Sequence, residues 1–220
     1  MQPIIIVAII VAALALFAFW KRKTVMDIMK IEDLKAKIAV TVGLVAVYRL
    51  GTQIVLPGID TEMLMQLREQ TGTGLLSLLD MFSGGAFSNA SVFALGVMPY
   101  ISASIVVQLL GMVIPYFQKM QREGESGRRK MNQITRYLTI AILAVQGPAY
   151  LLNLRYQAMG AITDSISWGT FMIVSTIILA AGSMFILWLG ERITDKGLGN
   201  GVSLIILVGI IARLPQAFIQ

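Results

Sequence analysis

Six apolar runs separated by short polar stretches constrain this chain more than any other feature: residues 4–19, 38–56, 92–113, 134–154, 168–189 and 201–214. At about 1.5 Å per helical residue, about 20 residues cross the roughly 30 Å hydrocarbon layer of a bilayer. In lipid the backbone must satisfy its own hydrogen bonds, so each run reads as a helix. Composition closes the alternative: with 56% hydrophobic and 14% charged residues, too little polar surface exists to coat a soluble globule. The fold class is therefore all-α and integral to a membrane, a multi-span helical bundle.

Charge sets the expected orientation. Residues 4–19 are followed by Trp20, Lys21, Arg22 and Lys23, an aromatic and basic boundary of the kind found at a cytoplasmic interface, and nothing charged precedes them. That order argues for an uncleaved span with its N-terminus outside, since a cleavable signal carries its positive charge first. Residues 24–37 are charged, with Met26, Met29, Ile31 and Leu34 at helical spacing, and read as an amphipathic segment on the cytoplasmic surface. Arg49 interrupts the second run near its outer end, where its stem can snorkel. Pro57 and Gly58 then stop the helix.

Between the second and third runs the chain is broken. Leu75, Leu76, Leu78, Leu79 and Phe82 build an apolar helix too short to span, and Gly84 and Gly85 interrupt it, each glycine costing about 1 kcal/mol relative to alanine in a helix. Broken backbone at membrane depth is tolerated only where protein buries it or water reaches it. Residues 75–90 thus read as a re-entrant plug beside the wall formed by 92–113, whose apolar surface carries a polar stripe of Ser102, Ser104 and Gln108.

The stretch 119–130 is the most basic loop, with Lys119, Arg122, Arg128, Arg129 and Lys130. Its glycines at 124 and 127 predict a flexible tip rather than a continuous helix. Simple topology control and partner docking are equally weighted readings of it. Residues 155–167 form an outer loop, and 191–200 a second inner loop, charge-balanced by Glu191, Arg192, Asp195 and Lys196. The net charge of +6 belongs to such inner loops, not to nucleic-acid binding.

Cysteine and histidine are both absent, which removes thiolate and imidazole chemistry and the usual zinc and haem ligands. A serine–histidine protease is impossible, and no aspartate falls within the six runs, so an intramembrane enzyme has little support. No catalytic residue, cofactor or metal is expected. A secondary transporter also uses broken helices, but its buried ionisable groups are missing.

Several long motifs in fixed order carry a more specific reading: MFSGGAFSNASVFALGVMPYISAS at 81–104, EGESGRRK at 123–130, TRY at 135–137 and WLGERITDKGLGNG at 188–201. From about residue 30 onward the chain resembles the N-terminal half of SecY, the central subunit of the Sec translocon, and the apolar run before Lys21 has no counterpart there. The resemblance implies one five-helix half of an hourglass channel in the cell inner membrane, through which unfolded precursors cross and from which helices enter the bilayer sideways. By position it assigns Val97, Ile101, Val202 and Ile206 to an aliphatic pore ring, two of them valines where the family has isoleucine. It assigns Phe82, Ser83, Gly84 and Gly85 to the plug and Ser104 and Gln108 to the lateral gate. Arg128, Arg129, Lys130, Arg192 and Lys196 fall on the partner-docking loops. The implied partners are SecE-like and SecG-like small membrane subunits, a ribosome or the SecA motor, precursors bearing signal sequences, surrounding lipid, and a C-terminal SecY half or other closing element. Without the resemblance such aliphatic pairs read as ordinary core packing, and the chain as a transporter or an insertase-like scaffold with an open polar groove.

Overall fold

The computed structural model describes residues 31–60, 80, 83–157 and 167–217, with side chains as far as 212. The extra span expected at 4–19, most of the amphipathic segment, Phe82 and nearly all of the short apolar helix before it lie outside the described residues. Six helices form the rest: α1 (Glu32–Gly51), α2 (Met98–Val113), α3 (Pro115–Arg122), α4 (Glu125–Gln157), α5 (Trp168–Lys196) and α6 (Gly201–Ala217). Among the described residues the helices are joined by turns and extended segments, and an isolated antiparallel bridge pairs Val55 with Ser91.

Helix α5 is the centre of the bundle. It packs against α1, α4 and α6, while α2 packs on α4 and connects through α3. Helices α4 and α5, of 33 and 29 residues, are long and apolar enough to cross a membrane. Glycine at Gly182 lets the chain between the plug segment and α2 lie directly on α5, because a Cβ there would collide with the Val92 carbonyl oxygen. Phe93 then enters a ladder of rings, stacked on Tyr48 of α1 at 6.2 Å and on Phe185 of α5 at 6.0 Å, with Trp188 beyond.

Four sequence expectations are corrected. Residues 92–97 are turns rather than the first turns of a span: Gly96 takes a left-handed φ of 55°, and hydrogen bonds of the i to i−3 kind run through Ala94, Gly96 and Met98. Helix α2 starts only at Met98, with Pro99 in its first turn, where a missing N–H costs nothing. Helix α1 likewise stops at Gly51, before Pro57, because the following strand-like segment is drawn across to the other side of the plug: Leu56 N–H donates to the Ala90 carbonyl at 2.9 Å, and Val92 N–H to the Ile54 carbonyl at 2.9 Å.

The third correction concerns the basic loop. It is helical on both sides of a single break at Gly124, whose φ of 69° turns the chain. Ile114 adopts the extended conformation that a following proline imposes, and α3 leaves α2 at 100°. Gln118 Nε2 caps the freed Met112 carbonyl at 2.8 Å. Gly127, expected to loosen a tip, is buried inside α4 because a Cβ would strike the Met120 carbonyl of α3. Its glycine serves close approach, not flexibility. The second inner loop is shorter than expected too, since α5 continues to Lys196.

Candidate functional site

The described part of the plug, 83–90, is a knot of turns held by its own polar groups. Gly84 and Gly85 have φ of 65° and 93°, a region closed to most side chains. Asp80 anchors the knot: its carbonyl accepts from Gly85 N–H at 2.9 Å and from Ser83 Oγ at 3.1 Å, and its carboxylate accepts from Ser88 N–H at 2.8 Å. Ser83 Oγ in turn accepts from Phe87 N–H at 3.0 Å. These bonds satisfy, without a helix, the backbone that an apolar setting would otherwise leave unpaired.

Two helices grip this knot through its main chain. From α1, Tyr48 Oη donates to the Ser83 carbonyl at 3.2 Å and Arg49 Nη1 to the Gly84 carbonyl at 3.0 Å. From α4, Tyr150 Oη donates to the Phe87 carbonyl at 2.8 Å, with the two rings edge to face at 4.8 Å. Arg49, expected from sequence to snorkel, has its guanidinium on the plug's main chain. An arginine within an apolar run was the available signal, since such a charge seldom persists without a function or a partner.

Beneath the knot lies an aliphatic cluster. Ala86 of the plug is fully buried in it beside Tyr48, Phe93, Val97 and three residues of α5, Ile186, Leu189 and Ile193, with Ile205 of α6. Ile101, Val202 and Ile206 pack against the same cluster, half-buried. The structure thus brings together all four proposed ring positions, in contact with the apolar group that contains the plug's Ala86. Val97 caps α2 and Ile101 follows one turn later, its N–H donating to the Val97 carbonyl at 3.0 Å. Phe87, next along, packs instead against a second cluster built by α4 and α5 around Leu143, Leu151, Phe171 and Leu179.

The GLGNG stretch aims α6 into this arrangement. Asn200 Oδ1 accepts from Ser203 N–H at 3.1 Å, a side-chain cap that starts the helix. Thr194 Oγ1 accepts from Gly201 N–H at 2.9 Å, and Gly201 lies so close to the Gly190 carbonyl that a Cβ would not fit. Thr41 of α1 accepts from Leu198 N–H at 3.0 Å, clipping the turn to α1. Val202 and Ile206 sit four apart on one face, in the first and second turns of α6, while Gly201, Ile205 and Gly209 form the buried face beside them.

The polar pair on α2 is real but local: Gln108 Nε2 donates to Ser104 Oγ at 3.1 Å, on a side of α2 that also exposes Ile105 and Leu109. The five basic docking candidates are all exposed. Arg129 pairs with Glu125 at 2.7 Å and Lys130 with Glu123 at 3.6 Å, contacts worth at most about 1 kcal/mol at an exposed site. Arg192 lies over the Trp188 ring at 5.4 Å. Arg136, not singled out from sequence, pairs with Glu191 and links α4 to α5 near the two inner stretches.

Comparison with known proteins gives this geometry a context. Curated relatives named protein translocase subunit SecY are 43% identical over 188 residues in Haemophilus influenzae, 43% over 195 in Streptococcus gordonii and 44% over 186 in Escherichia coli K12. These alignments cover 86%, 88% and 84% of this chain but 42%, 44% and 42% of the relatives, so the chain spans less than half of their length. The fold resembles two solved channels, one described as Sec61 in the canine ribosome-channel complex from the endoplasmic reticulum and the other as a protein conducting channel. Their TM-scores are 0.59 and 0.58 at 19% identity, over 80% of this chain and 36% of each channel. The sequence model of the SecY family matches residues 91–220, more than half of the chain, and on that match the chain belongs to the SecY family.

Proposed function

We propose that this chain forms the plug-bearing side of a protein-conducting channel in the cell inner membrane. The observation that carries the reading is the seating of Ala86 in one apolar cluster with Val97, packed by Ile101, Val202 and Ile206. An aliphatic constriction excludes water and ions by dewetting, and a plug docked on it adds a second seal. No step needs a catalytic group; an unfolded precursor moves when a motor or a ribosome drives it. Ser104 and Gln108 lie on the face of α2 where such a channel opens to lipid. SecE-like and SecG-like subunits and a C-terminal half complete the pore. The test is reconstitution with that C-terminal half and a motor: a signal-bearing precursor should become protease-protected inside vesicles while small-solute uptake stays at background. Solute uptake without precursor protection would make the protein a transporter instead.

Arg128, Arg129 and Lys130 on the first turns of α4, with Arg192 and Lys196 at the end of α5, serve as the cytoplasmic docking face for the motor or ribosome. Helical placement suits this better than a flexible tip, because less side-chain and backbone freedom is lost on binding. Ser126 is exposed and adjoins the buried Gly127, so Ser126→Cys should be labelled by an impermeant reagent from the cytoplasmic side only. Arg128→Glu combined with Arg129→Glu should insert in that same orientation yet weaken partner binding about tenfold, as two charge contacts turn repulsive. Unchanged binding by both partners would reduce the face to a topology signal.

A further inference from the structure

We infer that Arg49 is the latch that holds the plug, a positioning residue whose charge sets how readily the plug leaves its seat. The inference rests on the channel reading for the name plug, and on the structure alone for the contact. Arg49 lies in the last turn of α1, where the carbonyl end of the helix favours a cation. Among the described residues its guanidinium makes one hydrogen bond, to the Gly84 carbonyl at 3.0 Å. The preceding residue, Tyr48, is 2% exposed and donates to the preceding carbonyl, that of Ser83. Two successive donors of one helix therefore meet two successive main-chain acceptors of the plug.

Gly84 is closed in from the other side as well. A Cβ there would lie 2.9 Å from Gly209 Cα and 3.1 Å from Arg49 Nη1, so the left-handed Gly84 is clasped between the guanidinium and the backbone of α6. Because the acceptors are main-chain carbonyls, no side-chain change within the plug removes them. When the plug departs, the guanidinium loses a charge-assisted bond in a half-buried apolar setting, a larger loss than a neutral donor would suffer. Ala86 packing supplies the seat, and Arg49 supplies the polar hold that makes leaving it a discrete event.

The chain contains no cysteine, so one introduced thiol reports cleanly. Ala86→Cys places it at a position that is 0% exposed in the plug's seat, and Val107→Cys, in α2 outside both main clusters and 2% exposed, serves as control. In membrane vesicles holding the full chain, Arg49→Met should speed modification of Ala86→Cys by a small methanethiosulfonate about tenfold. Tyr48→Phe, which keeps the ring, should speed it about threefold. Arg49→Lys should fall between the parent and Arg49→Met, since an ammonium restores one charged donor. Val107→Cys should react at the parent rate in every background. Parent-rate labelling of Ala86→Cys in Arg49→Met and Tyr48→Phe would overturn the latch, as would equal acceleration at Val107→Cys, which would mean general loosening. The readout requires no precursor, so a plug released in these vesicles, in a protein that still moves no precursor when joined by a C-terminal half and a motor, would sink the channel reading and leave the latch standing.

Discussion

Gly182→Ala should destabilise the folded protein by about 2 kcal/mol, while Gly43→Ala should stabilise it by up to about 1 kcal/mol. Both glycines lie inside helices, so helix propensity favours alanine at each by the same amount. What differs is the surroundings. Nothing lies within 4 Å of a Cβ at Gly43, whereas one at Gly182 meets the Val92 carbonyl oxygen and approaches Phe93 Cδ1 to 3.1 Å. Main chain cannot rotate away as a side chain can, so α5 and the 92–97 turns must separate. Phe93 would then leave its stack between Tyr48 and Phe185, and Val97 would be dragged from the cluster. Gly182→Leu, with three more carbons to place, should not accumulate as folded protein. Unfolding in mixed detergent micelles, followed by tryptophan fluorescence, measures all three. A Gly182→Ala protein as stable as the parent would mean that the turns before α2 do not lie on α5.

The bundle was legible because apolar runs of span length have few alternatives in lipid, and the long motifs at 81–104 and 188–201 pointed to residues that the structure gathers on one apolar cluster. What the residues concealed was the purpose of particular glycines. Gly127 read as a breaker, yet it sits in a helix where a neighbouring carbonyl leaves no room for a methyl group, and the same holds at Gly182 and Gly201, which the sequence did not single out. Propensity describes a helix in isolation, and here contact between backbones decides. The partner of Arg49 was hidden for a related reason: the Gly84 carbonyl that its guanidinium meets belongs to a segment 35 residues away in the sequence. The early end of α1 was hidden because its cause, the pairing of 54–56 with 90–92, lies over 30 residues away in sequence.

The second large expected effect concerns closure of the ring. Val97 and Ile101 at the start of α2, with Val202 and Ile206 at the start of α6, gather on one cluster built largely by α5, and four side chains from one bundle can wall only one side of a passage. A second, facing half must supply the rest. In the proposed arrangement each half has five spans, an odd number, so the facing half enters the membrane inverted, as in other transport proteins built from inverted repeats. A second copy of this chain cannot take that place, because the basic residues from Arg122 to Lys130 bias insertion toward one orientation, and each Lys or Arg held at mid-membrane costs about 2.5 to 3.5 kcal/mol. These 220 residues alone should therefore give no gated passage, and the plug should have nothing to gate. Planar-bilayer recording of the purified chain, alone and then with a C-terminal SecY half, measures this directly. The account predicts background current from the chain alone, and with the second half a conductance that rises when Gly84→Val unseats the plug. Stable conductance with the same plug sensitivity from the 220 residues alone would contradict it.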